Sequence, residues 1–111
     1  MKIGLYGAGD IADLHVSGIN NCSSAELVGL FDIDQQKAKQ KSDNYNCRLY
    51  DSAESMLSDS IIDAVFVLTP LEDHFKCTVD ALNAGKHVLV EKPVASEVKN
   101  IEEIYDAAKR S

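Results

Sequence analysis

Residues 3–15 read IGLYGAGDIADLH. A short apolar run, Ile3 to Tyr6, meets Gly7. It gives way to a segment, 10–21, with Ile11, Leu14, His15 and Gly18-Ile19 at helical spacing and Asn20-Asn21 at its end. This change of period across Gly7-Ala8-Gly9 predicts a strand, a tight turn and a helix. The rest of the chain repeats the alternation. Strands are predicted over 27–31 (stopped by Asp32), 47–50, 64–68 and 87–90. The run 64–68 is almost continuously apolar, as a parallel strand covered on both faces should be. Helices are predicted over 34–42 with Asp34 in the cap region, over 53–57 after Ser52, and over 71–84 with Gly85 as the stop. In the last of these Phe75, Thr78, Val79 and Leu82 share a face. A final helix is expected from Ser96, with Val98, Ile101, Ile104, Tyr105 and Ala108 on one side. Strands alternating with helices specify an α/β fold with a doubly wound parallel sheet. Ligands of such sheets bind beyond the carboxyl ends of the strands, where the strand order reverses. Residues 7–12, 32–34, 69–74 and 91–93 all follow strands and should meet at one crevice.

Composition bounds the function. The 111 residues suffice for one domain with a real core, and 45% hydrophobic with 26% charged residues is the balance of an ordinary globular protein. A net charge of −7 argues against nucleic acid or an anionic membrane as partner. No apolar stretch approaches the roughly 18 residues of a membrane helix. Met1-Lys2 leads straight into the first strand, without a signal peptide. Cys22, Cys47 and Cys77 have no CxxC or Cys/His metal spacing and are expected to be buried or incidental thiols in a reducing cytoplasm.

The segment Gly7-Ala8-Gly9-Asp10-Ile11-Ala12 fits G-x-G-x-x-[G/A] in the context that gives the pattern meaning. The first glycine permits the turn, the second admits a pyrophosphate against bare backbone, and Ala12 lets the helix pack close to the strand. The helix start offers N–H groups and a positive dipole end to phosphate. Asp32 ends the second strand 20 positions after Ala12, where a carboxylate can accept both hydroxyls of a ribose and repel a 2′-phosphate. Its neighbours Ile33 and Asp34 supply no phosphate acceptor, so NAD is favoured over NADP. Asp10 is an acid at a phosphate site, explained by the helix dipole more simply than by a ligand contact. His15 and His87 read as packing or hydrogen-bonding residues, and none of the three histidines has a second ligand at metal spacing.

With DAVFVLTPLEDH (63–74) and AGKHVLVEKP (84–93) added, residues 2 to about 105 resemble the amino-terminal Rossmann domain of the glucose–fructose oxidoreductase, inositol dehydrogenase and MocA family of NAD(P)-dependent oxidoreductases. The resemblance implies hydride transfer between a nicotinamide and a CH–OH group of a sugar, polyol or related small molecule. It implies catalysis or substrate positioning by Lys92, with Glu91 beside it and Pro93 fixing the turn. A lysine before proline is held in extended backbone, so its ammonium would be aimed at a substrate hydroxyl. Thr69 and Pro70 would run along the cofactor as well as form the strand-to-helix turn. His74 stands at the same crevice, as a cofactor contact or as a structural hydrogen-bonder.

Family members carry a second, largely antiparallel domain with the acid–base residues and the substrate pocket. Ser111 follows directly on a helix, before the sixth strand that the family fold expects. The expectation is therefore a truncated domain, inactive alone, from a parent enzyme that forms a homo-oligomer. The fifth strand would then be an open sheet edge, paired with a second copy or covered by the last helix. The competing readings are a non-catalytic dinucleotide-binding module and a different nicotinamide enzyme. Neither accounts for the 84–93 segment.

Overall fold

A computed structural model describes residues 1–9, 11–69 and 71–90, with residues 71–74 described in backbone only. The chain alternates through β1 (Lys2–Tyr6), α1 (Ala12–Asn20), β2 (Glu26–Phe31), α2 (Gln35–Tyr45), β3 (Arg48–Leu49), α3 (Ala53–Leu57), β4 (Ala64–Val67), α4 (Leu71–Asn83) and β5 (His87–Val90). The five strands are all parallel, in the order β3-β2-β1-β4-β5. The predicted fold is therefore the observed one. Asp10, Pro70, Glu91, Lys92, Pro93 and the expected helix from Ser96 lie outside the described residues, and so does any covering of β5 by that helix. Among the described residues no helix is long and apolar enough to cross a membrane.

Alternation along the strands builds a core on each face of the sheet. Ile3, Leu5, Leu30, Ala64 and Leu68 pack with Ala12, Val16 and Ile19 of α1 and Ala38 of α2. On the other face Phe31, Val65 and Val67 pack with Met56 of α3 and Cys77 and Ala81 of α4. A register shift between Ile3 and Gly4, where β1 passes from Leu27 to Gly29 on β2, moves β2 by one residue. That slip puts Leu30 on the α1 side and Phe31 on the α4 side.

Several boundaries and faces differ from the sequence reading. Helix α1 buries Ala12, Val16 and Ile19, while Ile11 and Leu14 of the expected stripe are exposed, Leu14 by 69%. Small Ala12 sets this rotation, since only a short side chain lets the helix start lie against β1. His15 sits at the edge of the buried face, its ring edge-on to Phe66 at 5.6 Å. Among the described side chains of α4 the buried positions are Cys77, Thr78 and Ala81, and Phe75, Val79 and Leu82 are only half-buried. Helix α2 continues past Ser42 to Tyr45 and stops at Asn46, which adopts the left-handed conformation (φ 55°). Strand β5 is dry on one face only: Val88 and Val90 join the α4 core, whereas His87 and Leu89 are exposed.

Caps match their residues. Asp34 accepts from Lys37 N–H at 3.1 Å, and Ser52 and Ser55 form a reciprocal capping box at the start of α3. Behind α3, Asp59 accepts from the Tyr50 hydroxyl (2.6 Å), Arg48 Nη1 (2.9 Å) and Ile61 N–H (3.0 Å). The Tyr50 hydroxyl first, then the Ile61 amide and the nearby Arg48 and Lys86 charges, hold its carboxyl below the usual carboxylate range. A depressed folded-state pKa contributes stability above the unfolded value of about 4, lost as pH falls through the folded one. Asp59→Asn is expected to lower the melting temperature at neutral pH and to flatten its fall below about pH 4, by thermal denaturation across pH.

Candidate functional site

The strand order reverses between β1 and β4, so the loops leaving these two strands are adjacent. Gly7 turns the chain off β1 with φ 103°, donating its N–H to Phe31 O at 2.7 Å. Leu68 donates to Tyr6 O at 2.8 Å, continuing the β1–β4 ladder into the next loop. A Cβ on Gly7 would stand 2.9 Å from Leu68 C and Thr69 N, so the two loops touch through this glycine. At Gly9 the nearest atom to a Cβ, among the described residues, would be Leu68 O at 3.8 Å, so this position is not crowded. Helix α1 begins after Ile11, whose side chain caps nothing. An apolar residue at that position leaves the helix-start amides to the backbone and to a ligand.

Asp32 lies at the end of β2, half-buried. Its Oδ2 accepts from Ala8 N–H at 2.7 Å and its Oδ1 from Asp34 N–H at 2.8 Å. Beside it, a cleft of about 300 Å³ is lined by Tyr6, Gly7, Phe31, Asp32, Ile33, Ala53, Thr69, Lys76 and Cys77. The Tyr6 and Phe31 rings meet edge to face at 5.9 Å and form its floor. Ile33 stands 84% exposed at the rim. The Thr69 hydroxyl is buried with no hydrogen-bond partner among the described residues, an unspent polar group in the wall. Lys76 pairs with Asp80 at 2.6 Å, and this contact raises its pKa.

The structure thus brings together Gly7, Gly9, Asp32 and Thr69 of the sequence-predicted residues, with Ile11 at the head of α1. His74 falls in the first turn of α4, where only its backbone is described. Tyr6, Phe31, Ile33, Ala53, Lys76 and Cys77 of the cleft were not among the predicted site residues. Ala53 and Lys76 lie on helices brought in by α3 and α4, and no local pattern marks them. Tyr6 and Phe31 could have been found, since each directly precedes a predicted site residue at a strand end. Among the described residues no cluster of three or more potential metal ligands occurs, and the three cysteines form no disulfide.

The donor set fits a dinucleotide: a tight glycine turn with room at Gly9, a helix start without a side-chain cap, a carboxylate with lone pairs to spare, and an apolar-walled cleft. The sequence pattern of an oxidoreductase family with an NAD-binding Rossmann fold matches residues 1–111. Glucose-6-phosphate 3-dehydrogenase of Bacillus subtilis is 33% identical over 109 residues, which are 98% of this chain and 31% of that protein. The WlbA dehydrogenase of Bordetella pertussis, solved with NADH and UDP-GlcNAcA, superposes with a TM-score of 0.92 at 27% identity, covering 98% of this chain and 33% of that one. A 3-ketoreductase of Actinomadura kijaniata, solved with NADP and TDP-benzene, gives a TM-score of 0.92 at 25% identity, covering 99% and 34%. The chain spans about a third of the length of these relatives. It belongs to the GFO/IDH/MocA oxidoreductase family, with its NAD-binding Rossmann fold.

Proposed function

We propose that this chain is the dinucleotide-binding part of an oxidoreductase that moves a hydride between NAD(P) and a CH–OH group of a sugar, polyol or related small molecule. The carrying observation is the convergence of the glycine loop, Asp32 and Thr69 on one crevice at the β1/β4 switch. Gly7 and Gly9, with Asp10 and Ile11, form the pyrophosphate cradle at the start of α1. Asp32 accepts the adenosine ribose hydroxyls. Thr69, Pro70 and His74 flank the nicotinamide half, and Glu91 and Lys92 stand at the reacting end. Lys92 is the catalytic candidate, an ammonium that would stabilise the alkoxide as hydride leaves. The nicotinamide supplies the hydride chemistry when bound. The relatives' names, a glucose-6-phosphate 3-dehydrogenase and an inositol dehydrogenase among them, support a sugar or polyol substrate. A cleft of about 300 Å³ is at the small end of ligand pockets and suits one half of the dinucleotide. The setting is cytoplasmic, and the whole protein a homo-oligomer.

NAD is favoured over NADP because the Asp32 carboxylate would repel a 2′-phosphate, and Lys76, the one cation among the described residues lining the cleft, is already paired with Asp80. Calorimetric titration of wild type and Asp32→Ala with each nucleotide tests this. Saturable NAD binding, weakened about tenfold or more in the variant, is the expected result for a lost charge-assisted contact. Equal or tighter binding of NADP by wild type would overturn the preference, and no binding of either would overturn the site.

A further inference from the structure

The carboxylate assigned to the ribose has a second task in the geometry. Asp32 Oδ2 crosses from the end of β2 to the middle residue of the glycine loop, accepting from Ala8 N–H at 2.7 Å. Ala8 is fully buried, so this amide has no water as an alternative acceptor. The preceding amide, Gly7 N–H, is held by Phe31 O at 2.7 Å. Two successive loop amides are thus tied to two successive residues of β2, one through a carbonyl and one through a side chain. The carboxylate is itself fixed. Its Oδ1 holds Asp34 N–H at 2.8 Å, and Gln35 Nε2 donates to the Asp32 carbonyl at 3.1 Å. Helix α2, which starts at Gln35, therefore anchors the acid that anchors the loop.

We infer that Asp32 is a positioning residue for the glycine loop, acting through the Ala8 amide, in addition to accepting ribose. Its effect on ligand affinity rests on the dinucleotide reading above. A carboxylate has about four lone-pair sites, so two amide contacts leave capacity for two ribose hydroxyls. The loop is held in its phosphate-accepting shape before any nucleotide arrives. Replacing Asp32 to change cofactor preference would then damage the pyrophosphate cradle as well as the ribose contact.

The test compares wild type, Asp32→Asn and Asp32→Ala, using the 111-residue chain labelled with ¹⁵N and two probes, ADP and 2′,3′-dideoxy-ADP. In the free wild-type chain the Ala8 amide proton is expected downfield and slow to exchange. The isosteric Asn variant keeps part of that signature and the Ala variant loses it. Asp32→Ala is expected to weaken ADP about a hundredfold and the dideoxy analogue about tenfold, since the analogue has no ribose hydroxyls to lose but still needs the loop. Asp32→Asn should recover about half of the analogue's loss on a logarithmic scale. An analogue indifferent to Asp32→Ala while ADP weakens, or an Ala8 amide unchanged in both variants, would overturn the positioning role. If wild type binds neither nucleotide, the dinucleotide reading fails, and the amide comparison in the free chain alone decides the latch. Should the Ala variant not fold, the Asn variant carries both comparisons.

Discussion

Gly7→Val is expected to destabilise the domain by about 3 kcal/mol or more and to abolish nucleotide binding, because it adds backbone strain to a backbone clash. At φ 103° a side chain is strained wherever it points. Here the Cβ also meets main-chain atoms, Leu68 C and Thr69 N, at 2.9 Å. Those atoms cannot give way cheaply, since Leu68 N–H is bonded to Tyr6 O and Val67 is paired with both Tyr6 and Val90. The remaining route of relief is to push the glycine loop outward, which breaks Gly7 N–H to Phe31 O and Ala8 N–H to Asp32. Gly85 is the internal control. It too has a positive φ, 81°, but nothing stands within 4 Å of its Cβ position. Gly85→Val should therefore show the strain alone, about 1–2 kcal/mol. Urea denaturation of the two variants measures the difference. Equal losses would mean that the contact between the β1 and β4 loops is not tight.

The second large effect is expected at Lys86. Its ammonium donates to Ile62 O at 2.7 Å and Asp59 O at 2.9 Å, and the residue is 9% exposed. A charge at that depth is retained only because two carbonyls at the end of the α3–β4 loop receive it. Lys86→Met keeps the stem and its packing but leaves both carbonyls without this donor. The expected loss is about 2–3 kcal/mol, the range for hydrogen bonds to a charged group, read as a lower urea midpoint at unchanged slope. The tether fixes the turn between α4 and β5 against the loop that enters β4, so β5 loses alignment as well as stability. Hydrogen exchange should speed up first at Val88 and Val90, the core-facing residues of β5. Unchanged exchange there, with a normal midpoint, would reduce Lys86 to a surface lysine.

How much of this was legible in the chain varies with the range of the interaction. The glycine loop, Asp32 and the strand–helix alternation are local signals, carried by turn conformation, capping and period, and they were read correctly as to order and type. The rotation of α1 was not. Ile11 and Leu14 carry the apolar character that a periodicity count rewards, yet the helix buries Ala12, Val16 and Ile19, because only the small Ala12 fits where the helix start lies close to β1. In α4 the expected face held at Thr78, but Cys77 and Ala81 are buried where Phe75, Val79 and Leu82 are only half-buried: a helix lying on a sheet buries the residues nearest its line of contact, not the most apolar ones. Asn46 had a readable signal, an asparagine able to adopt the left-handed cap, which a lysine- and glutamine-rich helix without an apolar stripe did not bring out.

By itself the sequence determined the number and order of the described elements, the parallel doubly wound class and the meeting of the loops after β1, β2 and β4 at one crevice. These depend on backbone sterics and burial period, which act over a few residues. Tertiary structure alone decided that Asp32 holds Ala8, that Ala53 and Lys76 wall the cleft, and that Lys86 reaches Asp59 and Ile62. They join segments far apart in sequence, through hydrogen bonds and contacts whose geometry exists only once the strands are paired in the order β3-β2-β1-β4-β5. No local pattern carries that adjacency. It comes from the sheet order, and the site's electrostatics come with it.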